Sequence, residues 1–296
     1  MKRITWGLLG LCVLFAGSLV AKAQEMPATM NHPPKVLVIM REYLKPGKAG
    51  AMHEKTESLF VQAFEHAKWP THYLGAESLS GKSRALFFTG YDSFDAWEKD
   101  TMAEAKNAAL SAGITHASAV DGELLDEVDQ GVFIYRGDLS LRDDVDLTKT
   151  RLVDLGVFHI RQGHGEEWEQ AVKMVRDAFE KANPNGHWAC YQIAYGGPDG
   201  TYVFITLRNS ASEIDSDYAH NKDFAAAMGE EGMKKLDEIS AHSTESSEAQ
   251  LFMVNPRMSY VGEDLIKADP EFWKPKAAAA PAAMPKKAEE KPKTSQ

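Results

Sequence analysis

Two stretches of this chain are near copies of each other. Ala63-Phe64-Glu65-His66-Ala67 recurs as Ala178-Phe179-Glu180-Lys181-Ala182, 115 residues later. At the same offset His72-Tyr73 is answered by His187-Trp188. Upstream, Pro46-Gly47-Lys48 pairs with Gln162-Gly163-His164 at an offset of 116. Downstream, Val132-Phe133-Ile134 pairs with Leu251-Phe252-Met253, and Ser140 with Ser259, at 119. A colinear series whose offset drifts slowly is what a duplicated unit with small loop insertions leaves behind. Whatever one copy does with its apolar surface, the other is equipped to do as well.

Each copy reads β-α-β-β-α-β. Residues 35–43 form an apolar, β-branched run that stops at Pro46-Gly47, which reads as a strand and its turn. Residues 49–67 place Met52, Leu59, Phe60, Ala63 and Phe64 near one helical face, with Glu and Lys opposite. Strands are predicted over 72–78 and 85–91. A helix capped by Ser93 follows, predicted to break near Gly113 and to run towards Glu127, and the last strand spans 131–138. The second copy predicts strands over 151–161, 187–195, 201–208 and 249–258, with helices over 165–182 and 210–239.

A βαββαβ unit makes an antiparallel sheet with both helices on one face, so its other face needs a cover. Val36, Leu37, Val38 and Ile39 run without polar alternation, as in strands buried on both sides. The sheet of the other copy is the available cover. The expected fold is therefore α+β: two tandem ferredoxin-like βαββαβ modules packed sheet to sheet as an intrachain pseudo-dimeric α/β barrel. On its element order and the strand, Pro-Gly turn and amphipathic-helix opening of each half, the chain resembles the dimeric α/β-barrel superfamily over residues 35–260. It looks like a fused, tandem member of the group typified by antibiotic-biosynthesis-type monooxygenases. That resemblance implies a range of roles: cofactor-free oxygenases, haem-degrading and haem-dependent enzymes, isomerases. It does not choose among them.

The ends are read separately. Lys2 and Arg3 precede an apolar run from Ile4 to Val20, and Ala21-Lys22-Ala23 offers the small residues of a signal-peptidase site. Residues 1–23 are thus expected to be a signal peptide, cleaved near Ala23, and the mature protein periplasmic or secreted. Only Cys190 remains after cleavage, so no internal disulfide can form. The expected organisation is an extension (24–34), a first module (35–141), a linker (142–150), a second module (151–262) and a C-terminal extension (263–296). The last of these ends in a disordered Ala/Pro/Lys tail. The net charge of −10 includes +3 in the signal segment and +4 in the tail, which leaves −17 for residues 24–273. An acidic body argues against nucleic acid as a partner. The basic tail suits weak contact with an anionic envelope. A barrel closed within one chain predicts a monomer.

Candidate site residues come from the repeat. His72 and His187 open equivalent strands, and Tyr191 and Tyr195 alternate onto the face of His187. In the first strands Arg41 and Tyr43 share a face, and His159 matches Tyr43. Arg41 is expected to meet Glu42, Glu77, solvent or an anionic ligand. Together these seven residues suggest an inter-sheet pocket for an aromatic or lipophilic small molecule. His72, His187 or His159 could act as a base in the alternative of a cofactor-independent monooxygenase or isomerase. The plainer reading is that the histidines cap strand ends through backbone hydrogen bonds. No cofactor is expected. Haem is the further alternative that the resemblance leaves open, with His116, His220 and His242 on or near helices. No metal site is expected: His53 and Glu57 stand at i, i+4 and read as a surface pair, and His159 with His164 has no third ligand by spacing.

Overall fold

The computed structural model describes residues 32–144 and 146–274. The expected signal peptide, most of the expected N-terminal extension and the expected tail beyond Lys274 lie outside the described residues. The first half contains β1 (Val36–Leu44), α1 (Ala51–Ala67), β2 (Tyr73–Ser78), β3 (Arg84–Tyr91), α2 (Phe94–Lys106), α3 (Ala108–Asp121) and β4 (Leu125–Tyr135). The second half repeats this order. It has β5 (Leu152–Ile160), α4 (Gly165–Ala182), β6 (Ala189–Tyr195), β7 (Thr201–Arg208), α5 (Ser212–Ala219), α6 (Asn221–Ser243) and β8 (Thr244–Val254). Two short helices, α7 (Glu263–Ala268) and α8 (Pro270–Trp273), follow.

All eight strands join one closed barrel in the order β1-β3-β2-β8-β5-β7-β6-β4. Every neighbouring pair is antiparallel, so β1 and β5 run in the same direction. The halves meet along two seams, β2 with β8 and β4 with β6. Closure leaves no strand edge bare. The consecutive apolar residues of β1 divide as a period-2 strand requires. Leu37 and Ile39 join the barrel interior with Leu74, Leu86, Phe88 and Phe133 of the first half, and with Val153, Leu155, Val203 and Phe252 of the second. Val36 and Val38 face outward, where Trp97 packs.

The repeat is also visible in hydrogen bonds exchanged between halves. Ser140 Oγ accepts from the backbone N–H of Cys190 at 2.9 Å, and Ser259 Oγ accepts from that of Gly75 at 2.9 Å. Leu141 bridges to Trp188 as Tyr260 does to Tyr73. The segment leaving each half thus clasps the second strand of the other.

Several local expectations need correction. The break in the first helical region falls at Asn107, whose side chain caps α3 by accepting from Leu110 N. Gly113 lies inside α3, where a Cβ would come within 2.8 Å of Ala63 on α1, so the glycine permits close helix packing. Met52 is 48% exposed, and the inward face of α1 begins instead with His53, Thr56 and Glu57. Residues 263–273, read only as part of an extension, are structured: Leu265 and Trp273 belong to the barrel core, and Trp273 Nε1 donates to the Thr148 carbonyl at 3.1 Å.

Candidate functional site

The chain enters β1 and β5 and leaves β4 and β8 at the same end of the barrel. Three segments therefore cross that mouth: the residues before β1, the connection between the halves, and α7–α8. Beneath them is a chamber of about 90 Å³ lined by Leu37, Leu74, Phe88, Val153, Ala189, Tyr191 and Ile205, with Pro33, Pro34, Asp143 and Leu147 at the cover. The walls are almost wholly apolar. Tyr191 is buried edge-on to Tyr135 at 5.7 Å, and burial holds its phenol well above the usual range, so it stays neutral. The Asp143 carboxylate accepts from the Tyr135 hydroxyl. Outside the cover a polar groove of about 560 Å³ is lined by Arg142, Lys149, Arg208, Asp217 and others, and shares His187 and Leu207 with the chamber.

His187 lines this chamber, and its companion across the pseudo-twofold does not. The His187 Nδ1 lies 2.9 Å from the Asn185 carbonyl and its Nε2 2.8 Å from that of Leu207. Both nitrogens are turned to backbone acceptors, so the ring offers the chamber only carbon. His72 is buried and stacks on Tyr260 with ring centroids 4.8 Å apart. The expectation that both imidazoles point into one inter-sheet space is corrected.

The remaining candidates lie at the opposite end, where β1 and β5 finish. Arg41 pairs with Asp129, its direct neighbour across the β1–β4 ladder, rather than with Glu42 or Glu77. Tyr43 accepts from Arg84 at 3.0 Å, and His159 Nδ1 lies 2.9 Å from Thr201 Oγ1. These charges and hydroxyls pair among themselves. Tyr195 leaves the barrel face altogether. Val132 pairs with Tyr195 but Phe133 with Ile193, so a bulge at Ala194 reverses the alternation. Tyr195 is 66% exposed and lies edge-on to Phe94. The seven predicted residues therefore do not form one site. His187 and Tyr191 share the capped chamber, and Arg41, Tyr43 and His159 share the far mouth.

A group that sequence reasoning missed lies on the helix side of β1. His53 is fully buried, and its Nε2 is 3.1 Å from Glu42 Oε2, 3.5 Å from Asp121 Oδ1 and 3.8 Å from Glu57 Oε1. The surface pair expected from the i, i+4 spacing is thus an interior one, because the acidic end of β1 and the last residue of α3 close over it. Burial, then the charges of Glu42 and Asp121, hold Glu57 well above the ordinary carboxylate range. Burial raises Glu42 as well, against the opposing hydrogen bond from His53. Cys190 is also buried, and burial pushes its thiol up, which makes it inert.

Haem, which the family resemblance allows, would need both room and an axial ligand in the chamber. The chamber, at about 90 Å³, is smaller than the ~150 Å³ cavity that takes a single benzene ring, and a macrocycle is several times larger than that ring. No imidazole nitrogen faces it, and His116, His220 and His242 do not line it. These residues do not fit the group.

No protein-family profile and no curated protein matches the chain. Solved structures do. A proposed monooxygenase from Fusobacterium nucleatum subsp. nucleatum aligns at a TM-score of 0.50 and 13% identity, over 75% of this chain and 93% of that one. An anthrone oxidase-like protein aligns at 0.48 and 14%, over 74% and 91%. A mutant chlorite dismutase from Candidatus Nitrospira defluvii aligns at 0.45 and 9%, over 80% and 97%. At these identities the likeness concerns the fold. The chain has the dimeric α/β-barrel fold, with both halves supplied by one polypeptide.

Proposed function

We propose that this is an exported, monomeric binding protein whose capped chamber takes a small lipophilic molecule. The observation that carries this reading is a chamber walled by apolar side chains, with Pro33 and Pro34 before β1 and Asp143 and Leu147 between the halves at its cover. An engineered apolar cavity of about 150 Å³ accommodates benzene, so a chamber of about 90 Å³ takes a smaller molecule as it stands. An aromatic ring requires the cover to shift. The polar groove outside, sharing His187 and Leu207, marks the approach. Turnover in the chamber would need a base there, and both His187 nitrogens lie beside backbone carbonyls and not towards the chamber, which favours binding over the oxygenase or isomerase alternative. The acidic body and basic tail are consistent with export and weak envelope contact, with no role for nucleic acid.

The test is native mass spectrometry of the full chain purified from its exported fraction, followed by titration with benzene or indole read through Trp188 fluorescence. A retained molecule, or saturable uptake abolished by Ala189→Phe, is the expected result. Uptake that survives the filled chamber, with nothing co-purifying, overturns the assignment. N-terminal sequencing should begin at Gln24.

A further inference from the structure

The buried group on the outer side of β1 lies away from the ligand chamber and has no part in the binding reading above. It brings residues from three elements to one point: Glu42 from β1, His53 and Glu57 from α1, and Asp121 from α3. One candidate ligand atom from each lies within 4.8 Å of all the others. Ion–ligand distances of about 2.0–2.2 Å place tetrahedral ligand atoms about 3.4 Å apart, and the spacings of 3.1, 3.5 and 3.8 Å from His53 Nε2 bracket that value.

Three buried carboxyl groups beside one imidazole must be offset either by protons or by a cation. Among the described residues, the only cationic partner any of the three has is His53. Glu57 Oε1 and Asp121 Oδ2 are buried with no hydrogen-bond partner, although both side chains are almost completely enclosed. The Thr56 hydroxyl lies against Asp121 Oδ1, the oxygen 3.5 Å from His53 Nε2, and against the His53 carbonyl, which ties both candidate ligands to one turn of α1.

The duplication supplies an internal control. By the repeat offsets, Glu42 corresponds to Phe158, His53 to Trp168 and Glu57 to Val172. In the second half those three pack together in an apolar cluster with Tyr202 and Phe204. The same architecture is thus completed with hydrophobic side chains 115–116 residues along, and the fold itself has no need of the charged set.

We propose that Glu42, His53, Glu57 and Asp121 form a buried site for one first-row divalent transition-metal ion. One imidazole with three carboxylates suits zinc, manganese or ferrous iron. Calcium takes six to eight oxygens and magnesium keeps several waters, so both fit less well. Four protein ligands with no exposed face describe a structural ion that ties α1 and α3 to β1.

The experiment uses the full mature chain, stripped with a chelator and then offered Zn²⁺ or Mn²⁺ separately. Metal content is measured after gel filtration, and the zinc form is examined by X-ray absorption. The expected result is one retained ion per chain with a single imidazole in its oxygen-rich shell. Affinity should fall by more than the ~10–100-fold that outer-sphere changes cost in His53→Gln and Glu57→Gln. His242→Ala should bind as before. That variant removes part of the half-exposed His164–Glu167–His242 group, a second place among the described residues where a metal could settle. If the buried variants do not fold, absorption of the wild-type zinc form still decides by counting imidazoles. No binding by the wild type, two imidazoles in the shell, or loss in His242→Ala with retention in His53→Gln overturns the proposal.

Discussion

Separating the two halves removes the cover from each sheet, and the structure gives the scale of the consequence. A first half comprising residues 32–141 would bare Leu37, Ile39, Leu74, Leu86, Phe88 and Phe133 on the face that lines the barrel. At about 1.5–3 kcal/mol for each large apolar side chain, that face is worth on the order of 10 kcal/mol of burial. The figure is an upper estimate, since an unfolded chain already hides part of this surface. A typical domain has a net stability of about 5–15 kcal/mol, so the loss is comparable with the whole. The same cut strips the hydrogen-bonding partners from β2 and β4, whose seams with β8 and β6 close the barrel. The isolated half should therefore pair with a second copy of itself or aggregate. Size-exclusion chromatography with light scattering should show no monomer at micromolar concentration. Urea unfolding followed by circular dichroism should shift its midpoint with protein concentration. Mixing the two halves should restore a 1:1 complex. A monomer that unfolds cooperatively at a concentration-independent midpoint would refute the argument that each sheet needs the other.

Two further outcomes follow. Trp273→Ala removes a buried ring and its hydrogen bond to the Thr148 carbonyl. A cost of about 3–5 kcal/mol is expected, which lowers the melting temperature by about 10 °C in a chain of this size. A shift under about 2 °C by scanning calorimetry would mean that α8 is dispensable to the cover. The second concerns acid. Hydrogen bonds from Arg136 hold Asp138 down to about 2 and lower Glu169. A depressed carboxylate contributes its stability above its unfolded pKa of about 4 and loses it as pH falls towards the folded value. The melting-temperature gap between wild type and Glu169→Gln should be full above pH 5 and narrow steadily towards pH 2. A gap independent of pH would show that the ion pair is not its source.

The candidate site was legible only in part. His187 and Tyr191 were readable from alternation along β6, and both line the chamber. Tyr195 obeyed the same alternation and still turned outward, because a single bulged residue reverses every side chain beyond it. Arg41 was recognised as needing a partner, but its neighbour across the ladder, Asp129, depends on a register that no local pattern reveals. The His53 group was missed because the inward face of α1 opens with polar residues. Periodicity of apolar residues then places the face one position away, at Met52.

The repeated element order and the unbroken apolar runs of β1 determined, without coordinates, that two sheets must face each other within one chain. Both signals are local, and each survives whatever the far parts of the chain do. Tertiary structure decided which side chains meet. Glu42, His53 and Asp121 converge because β1, α1 and α3 cross at one level. The chamber has a cover because the residues before β1 and the connection between the halves emerge at the same mouth. Convergence of that kind depends on register, twist and loop path, and those are properties of the closed barrel rather than of any stretch of sequence.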